Sequence, residues 1–184
     1  SENDVVSKIE HLQVNNINLD SKEIVNFLSK HKPTVALVFG TSVIKGKIFQ
    51  LLPDMKINIH SGILPEFKGS AGNFWPFYFL KPNFAGITFH YLSDKLDGGS
   101  IIHQSMPELS HGDTIHEVSC KSTIRAFGDL LKLLDIFKRT KELKSSEQKK
   151  SGKLFMNSDF MPHHLRLIYN YFDDDIVDKY LNKE

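Results

Sequence analysis

Residues 34–39, Thr-Val-Ala-Leu-Val-Phe, make a continuous apolar run that stops at Gly40, and no other stretch restricts the fold as much. A strand with one wet face alternates polar and apolar side chains. A short unbroken run instead suits a strand covered on both faces, as in a parallel sheet with helices above and below. Upstream, residues 21–30 carry Ile24, Phe27 and Leu28 at helical spacing, Asp20 stands three places before Glu23 as in a capping box, and Pro33 closes the segment. Val14-Asn15-Asn16-Ile17 reads as a short extended piece. Downstream, residues 41–55 supply a loop and a short helix before a second strand over 56–60. Strand, crossover and strand make a parallel unit.

The second strand ends on two polar side chains. In Ile57-Asn58-Ile59-His60 successive residues point to opposite faces, so Asn58 and His60 stand together at the mouth of a loop that carries Gly62, Pro65 and Gly69. An amide that donates and an imidazole that changes charge near neutral pH are useful together once a third group completes the set. Taken alone, the pair is better read as polar residues satisfied by loop backbone. Asp97 is the third candidate. It lies in Leu96-Asp97-Gly98-Gly99, where two glycines allow a sharp turn and a close approach to a ligand, although an ordinary turn has the same composition.

Between and beyond these motifs the pattern is that of a packed domain. Residues 74–80, rich in aromatics, open a helix behind Asn73 and belong to the core; residues 85–92 alternate, with Ile87, Phe89 and Tyr91 opposing Thr88 and His90; residues 99–104 form the next strand. Thr114 starts a capping box with Glu117, and the long helix behind it is expected to turn Ile124, Phe127, Leu131 and Leu134 inward, with Lys138 and Arg139 near its carbonyl end. Residues 141–153 are charged and without periodicity, which suggests a solvated linker. The tail regains apolar residues: a small strand at Leu154 and Phe155, a helix over 162–171 and a last one opened by the acidic residues 173–175. Such a tail is expected to pack on the domain or on a partner. The organisation expected is a domain over 1–140, a linker over 141–153 and a helical extension over 154–184.

The 184 residues are enough for one domain with a substantial core. Lys plus Arg number 23 against 22 Asp plus Glu, so no net field favours nucleic acid or an anionic membrane. A lone Cys120 makes no internal disulfide, and no leader or bilayer-length apolar run is present, which points to a cytoplasmic setting. His90, His103, His111 and His116 are scattered, without HExxH or paired-cysteine spacing, so no metal site is expected. A hydrolase using His60, Asp97 and His90 around a metal is the rival within enzymes.

From Val35 to Phe137 the chain resembles the folate-dependent formyltransferase family, which includes glycinamide ribonucleotide, methionyl-tRNA and nucleotide-sugar formyltransferases. The resemblance rests on ordered elements: the apolar strand ending in Gly40, Asn58-Ile59-His60, Ile63-Leu64-Pro65, Phe67-Lys68-Gly69-Ser70, Gly86-Ile87-Thr88-Phe89-His90, and Asp97-Gly98-Gly99-Ser100-Ile101-Ile102 with Gln104. It implies a formyltransferase-type, Rossmann-like α/β fold with a twisted, mainly parallel sheet and helices on both faces. It implies as cosubstrate 10-formyltetrahydrofolate, whose formyl carbon an amine attacks, with Asn58, His60 and Asp97 as catalytic residues and no metal. Asn58 and a protonated His60 would donate to the developing oxyanion, while Asp97 would raise the proton affinity of His60 and help move the proton. The pterin is expected against the segment near Val43 and Ile44 and the loop of Leu92, Ser93, Asp94, Leu96 and Asp97. Gly62, Gly69 and Ser70 are expected to border the formyl group and the acceptor.

The family's opening βαβ unit has no counterpart in residues 1–33, so the chain reads as N-terminally incomplete. The partners implied are folate and a small-molecule amine, with a homodimer allowed and neither nucleic acid nor membrane. Methionyl-tRNA is disfavoured by the near-neutral charge. An amino-sugar nucleotide is the preferred acceptor. The alternatives are a glycinamide ribonucleotide formyltransferase, which Phe67-Lys68-Gly69-Ser70 most resembles, and a non-catalytic folate-binding fragment or interaction module.

Overall fold

The computed structural model describes residues 9–14, 21–149 and 152–183. In chain order these form α1 (Lys22–His31), β1 (Val35–Phe39), α2 (Gly46–Leu51), β2 (Met55–Ser61), β3 (Phe67–Gly69), α3 (Trp75–Tyr78), β4 (Ile87–Tyr91), β5 (Ile101–Ser105), α4 (Ile115–Thr140), β6 (Lys153–Phe155) and α5 (Ile176–Asn182). Short 3-10 turns at Pro82–Phe84, Asn157–Asp159 and Pro162–His164 and a π turn at Leu167–Tyr171 fill the remainder. The expected extended piece at 14–17 and the Asp20 cap fall mainly outside the described residues. Ser21 caps α1 instead, its side chain accepting from the N–H of Ile24. The helix expected over 162–171 forms as a continuous helical run that passes from 3-10 to π geometry.

The α/β class is as expected, and the sheet is mixed. Its order is β1-β2-β4-β5, with β4 antiparallel to β2 and β5 antiparallel to β4, so the half of the sheet carrying the polar candidates is antiparallel where a mainly parallel one was expected. The pairing places Asn58 directly opposite His90 and His60 opposite Thr88. A bulge between Phe89 and His90 shifts the register toward β5, a device that re-aims side chains at sheet edges and beside functional sites. Thr88 and His90 are as buried as Ile87 and Phe89, so β4 is covered on both faces.

The chain divides into two compact units, residues 1–36 with 41–56, and residues 37–40 with 57–184. The first contains α1 and α2. The segments expected as linker and extension both belong to the second. There the core gathers Phe67, Phe74, Trp75, Phe77, Ala85, Ile115, Val118, Phe155, Ile168, Ile176 and Val177, so the aromatic stretch is core as expected and the tail closes over it. β6 runs parallel to β3, and Phe155 stacks on Trp75 with ring centroids 4.4 Å apart.

Three expectations are corrected. β1 forms at the apolar run, but it is not covered on both faces: Val38 is buried, while Leu37 and Phe39 are exposed. The capping box of α4 forms, with Glu117 N–H on Thr114 Oγ1 and Thr114 N–H on Glu117 Oε2, but the helix buries the opposite face to the one expected. Ile124, Phe127 and Leu131 are 73%, 66% and 68% exposed, while Val118, Ser122, Ala126, Leu130 and Leu133 are buried. Small side chains at Ser122 and Ala126 let the helix approach β4 and β5 closely, and Ser122 Oγ donates to the carbonyl of Ala85. Residues 141–149, expected as solvated linker, are laid along the sheet edge: Leu143 is buried, its carbonyl accepts from Tyr91 Oη at 3.1 Å, and Ser146 forms an antiparallel bridge with Ile101.

Candidate active site

β2 delivers Asn58 and His60, and the loop between β4 and β5 delivers Asp97. His60 is 6% exposed, and its Nε2 lies 2.7 Å from the carbonyl oxygen of Phe67. A carbonyl only accepts, so Nε2 carries the ring proton and donates. Nδ1 then stands 3.6 Å from Asp97 Oδ1 as a bare lone pair unless the ring takes up a second proton. Burial pushes His60 below its ordinary value and outweighs the opposing charge of Asp97 and the bond to Phe67, with His90 and Lys68 adding to the fall. Burial thus opposes the imidazolium expected to form at the developing oxyanion, which the Asp97 charge favours.

Asp97 is 7% exposed. Burial raises its carboxyl, but the neighbouring His90 ring, the charge that His60 can take up and a hydrogen bond from Gly69 N–H together hold it below the usual carboxylate range. Gly69 N donates to Oδ2 at 2.7 Å, and Oδ1 is left between His60 and His90, 3.6 Å from each ring. Gly69 makes a close backbone approach within its own chain. Its φ is +87°, and a Cβ there would stand 2.0 Å from the carbonyl oxygen of Phe155. Ser70 is held to the same carbonyl through N–H at 2.8 Å. Gly62 is buried, with its N–H on the carbonyl of Gly86.

His90 belongs to this cluster although sequence reasoning used it only in the metal rival. It is 1% exposed; Nδ1–H donates to the carbonyl of Tyr91 at 2.9 Å, which leaves Nε2 to accept from Asn58 Nδ2 at 3.0 Å. One amide hydrogen of Asn58 is thus committed and its direction fixed, while the other remains for a ligand. The signal was the polar pair Thr88 and His90 on a strand whose neighbours are all apolar. Thr88 serves the loop: Oγ1 accepts from Leu64 N–H at 3.1 Å and donates to the carbonyl of Gly62 at 2.8 Å, and Gln104 Nε2 donates to the carbonyl of Leu64.

The remaining expected residues are distributed between the units. Leu92 and Ser93 are half-buried, and Asp94 and Leu96 are exposed, all in the loop leading to Asp97. Val43, exposed, and Ile44, buried, belong to the first unit. Among the described residues no group of three His, Cys, Asp or Glu side chains is placed to hold a metal ion, and no helix is long and apolar enough to cross a membrane.

Residues 1–125 match the family model described as formyl transferase. Among curated proteins, the chain is 38% identical over 72 residues to formyltetrahydrofolate deformylase 1, mitochondrial, of Arabidopsis thaliana, covering 36% of this chain and 20% of that one. It is 33% identical over 105 residues to the methionyl-tRNA formyltransferase of Fusobacterium nucleatum, covering 54% and 32%. The chain spans between 15% and 37% of the length of the curated relatives it matches. Among solved structures it superposes on the formyltransferase PseJ from Anoxybacillus kamchatkensis, itself determined with UDP-4,6-dideoxy-4-formamido-L-AltNAc and tetrahydrofolate. The TM-score is 0.64 at 21% identity, over 91% of this chain and 81% of that one, a likeness of fold.

Proposed function

We propose that this chain, which belongs to the formyl transferase family, transfers the formyl group of 10-formyltetrahydrofolate to a primary amine of a small acceptor, with an amino-sugar nucleotide as the favoured class. The observation that carries the reading is the convergence of Asn58, His60 and Asp97 in one buried cluster, with His90 tying the first to the last. The acceptor class rests on the fold likeness to a sugar-nucleotide formyltransferase. Glycinamide ribonucleotide is the second candidate.

In this reading the amine attacks the formyl carbon. The carbonyl oxygen gains negative charge, and the free hydrogen of the Asn58 amide, held in direction by His90, donates to it where little water competes. The bond from carbon to the acceptor nitrogen forms as the amine loses a proton. Neutral His60 offers Nδ1 to receive that proton, and the Asp97 carboxylate 3.6 Å away stabilises the imidazolium that results. The proton then passes to the folate nitrogen as its bond to carbon breaks, giving a formamide and tetrahydrofolate. Leu92, Ser93, Asp94 and Leu96 are the residues of the second unit proposed to meet the pterin; Gly62, Gly69 and Ser70 are proposed to border the acceptor.

The test is incubation of the chain with 10-formyltetrahydrofolate and a panel of amines, reading the N-formyl product by mass. A product that disappears with Asp97→Asn supports the assignment. Formate release without an amine would instead favour water as acceptor, a reading suggested by the similarity to a formyltetrahydrofolate deformylase. Saturable calorimetric binding of 5-formyltetrahydrofolate with neither product would leave a folate-binding module.

A further inference from the structure

The loop that presents Asp97 holds itself only in part: Gly98 N–H and Ser93 Oγ both donate to the carbonyl of Lys95, and Tyr91 N–H donates to that of Ser100, but none of these bonds engages the carbonyls of Asp97 and Gly99. Asp97 sits at φ +47°, a region that side-chain-bearing residues avoid, and is followed by Gly98 and Gly99, the most freely rotating residues available. A carboxylate on such a hinge samples many directions unless the backbone on either side of Gly98 is tied down. Both carbonyls that bracket Gly98 have the same partner. Gln148 Nε2 donates to the carbonyl of Asp97 at 2.7 Å and to that of Gly99 at 2.8 Å.

Both neighbours only accept, so the amide must present its nitrogen to them. Its oxygen is buried and, among the described residues, has no hydrogen-bond partner. The two donors are therefore what the side chain contributes. Gln148 is itself fixed: Ser146, two residues earlier, exchanges 2.8 Å backbone hydrogen bonds in both directions with Ile101, whose register partner in β4 is His90. Leu143, buried, anchors the segment further back, with Tyr91 Oη on its carbonyl. A stretch whose composition suggests a solvated tether is thus a strap across the catalytic loop.

We propose that Gln148 is a positioning residue: by bridging the carbonyls of Asp97 and Gly99 it holds the Asp97 loop so that Oδ1 faces His60 and His90 while Oδ2 receives the Gly69 N–H. This rests on the reading of Asp97 as a catalytic group, but its effect can be measured without turnover. The groups that face the His60 ring are Asp97 from the loop, His90 from β4 and Lys68 from β3, and of these the Asp97 charge favours the imidazolium.

The experiment is NMR titration of the His60 imidazole in the substrate-free chain, comparing wild type with Gln148→Met, which keeps the length and removes both donors. With the carboxylate no longer aimed, the His60 midpoint is expected to fall by about half a pH unit or more, while the dispersion of the remaining spectrum is preserved. An unchanged or raised midpoint in the folded variant overturns the proposal and makes Gln148 a fastening of the tail alone. Should the Met variant not fold, Gln148→Asn, one methylene short of the two carbonyls, is read in the same way. Failure of formyl transfer would appear as absence of product in the wild type; failure of this inference appears as an unmoved ring titration.

Discussion

Asn58 and His90 oppose each other across β2 and β4, and the amide of the first donates to the imidazole of the second at 3.0 Å. The contact follows from strand register, since directly opposed side chains share a face. It fixes which way the amide points before any ligand arrives. His90→Ala should therefore lower formyl transfer roughly fivefold, the consequence of losing one oriented hydrogen bond of ~1 kcal/mol, with the apparent affinity for folate little changed. Steady-state kinetics on the variant check this; an unchanged kcat would remove His90 from the site.

Asp97→Asn keeps the size of the side chain but removes the charge that supports a proton on His60. Formyl transfer should fall at least about a hundredfold, the lower range for lost acid–base help. The melting temperature should change little, because the amide oxygen can still accept from Gly69 N–H. Full turnover would dismiss the assignment.

Acid should destabilise the fold in two stages. Burial holds His60 below its ordinary 6.5, so as the pH falls below that value the unfolded chain binds a proton there before the folded chain does, and stability drops. The Asp97 carboxylate, held below its ordinary 3.8, and Asp129, lowered to about 2 despite its burial by Ser105, Lys132 and His103, stabilise the fold fully above 3.8 and lose that contribution as the pH falls through their lower folded values. Urea unfolding between about pH 7 and pH 5 should show the first stage, with a shallower slope in His60→Gln. An equal slope would mean that His60 is not buried neutral.

The two faces of α4 should respond unequally to the same change. Leu130→Ala empties a buried position and should cost about 2–5 kcal/mol, whereas Leu131→Ala, on the exposed stripe, should lie within about 0.5 kcal/mol of wild type. Denaturant midpoints of the two variants decide which face is inside. Equal losses would mean that the stripe of Ile124, Phe127 and Leu131 is covered in solution.

Gly69→Ala should be worse than either, since an added Cβ meets both an unfavourable φ and the Phe155 carbonyl. Formyl transfer and thermal stability should fall together, because the same residue pairs with β6 and donates to Asp97. A stable, active variant would show that β3 and β6 can separate without disturbing the site.

What the sequence made legible, and what it hid, divide along the line between side-chain pattern and backbone pairing. The Asn58 and His60 pair and the Thr114 capping box are local patterns, and each sits in the kind of element expected; the apolar run ending at Gly40 is a strand, but with Leu37 and Phe39 exposed it is not covered on both faces. His90 was hidden because its role depends on which strand lies opposite and on the bulge beside Phe89. The inward face of α4 was misread because apolar residues nearly encircle the helix, and size favoured Phe127 and Leu131 over Ser122 and Ala126. Close packing against a sheet favours the small ones. Residues 141–149 were misread for a related reason: their side chains look solvated, while Ser146 is held through its peptide groups.

The parallel pairing of β3 with β6 has a consequence for the order in which the protein can be made. Asn58, His60, His90 and Asp97 all precede residue 100, yet the strand that braces Gly69 lies at Lys153–Phe155, and the core around Trp75 is closed by Ile176 and Val177. Synthesis as far as residue 100 therefore supplies every side chain of the proposed site without the strand that braces Gly69 or the helix that closes the core around Trp75. Domains generally fold as units as they emerge from the ribosome, so the candidate site can be braced only after residues 153–177 have been made.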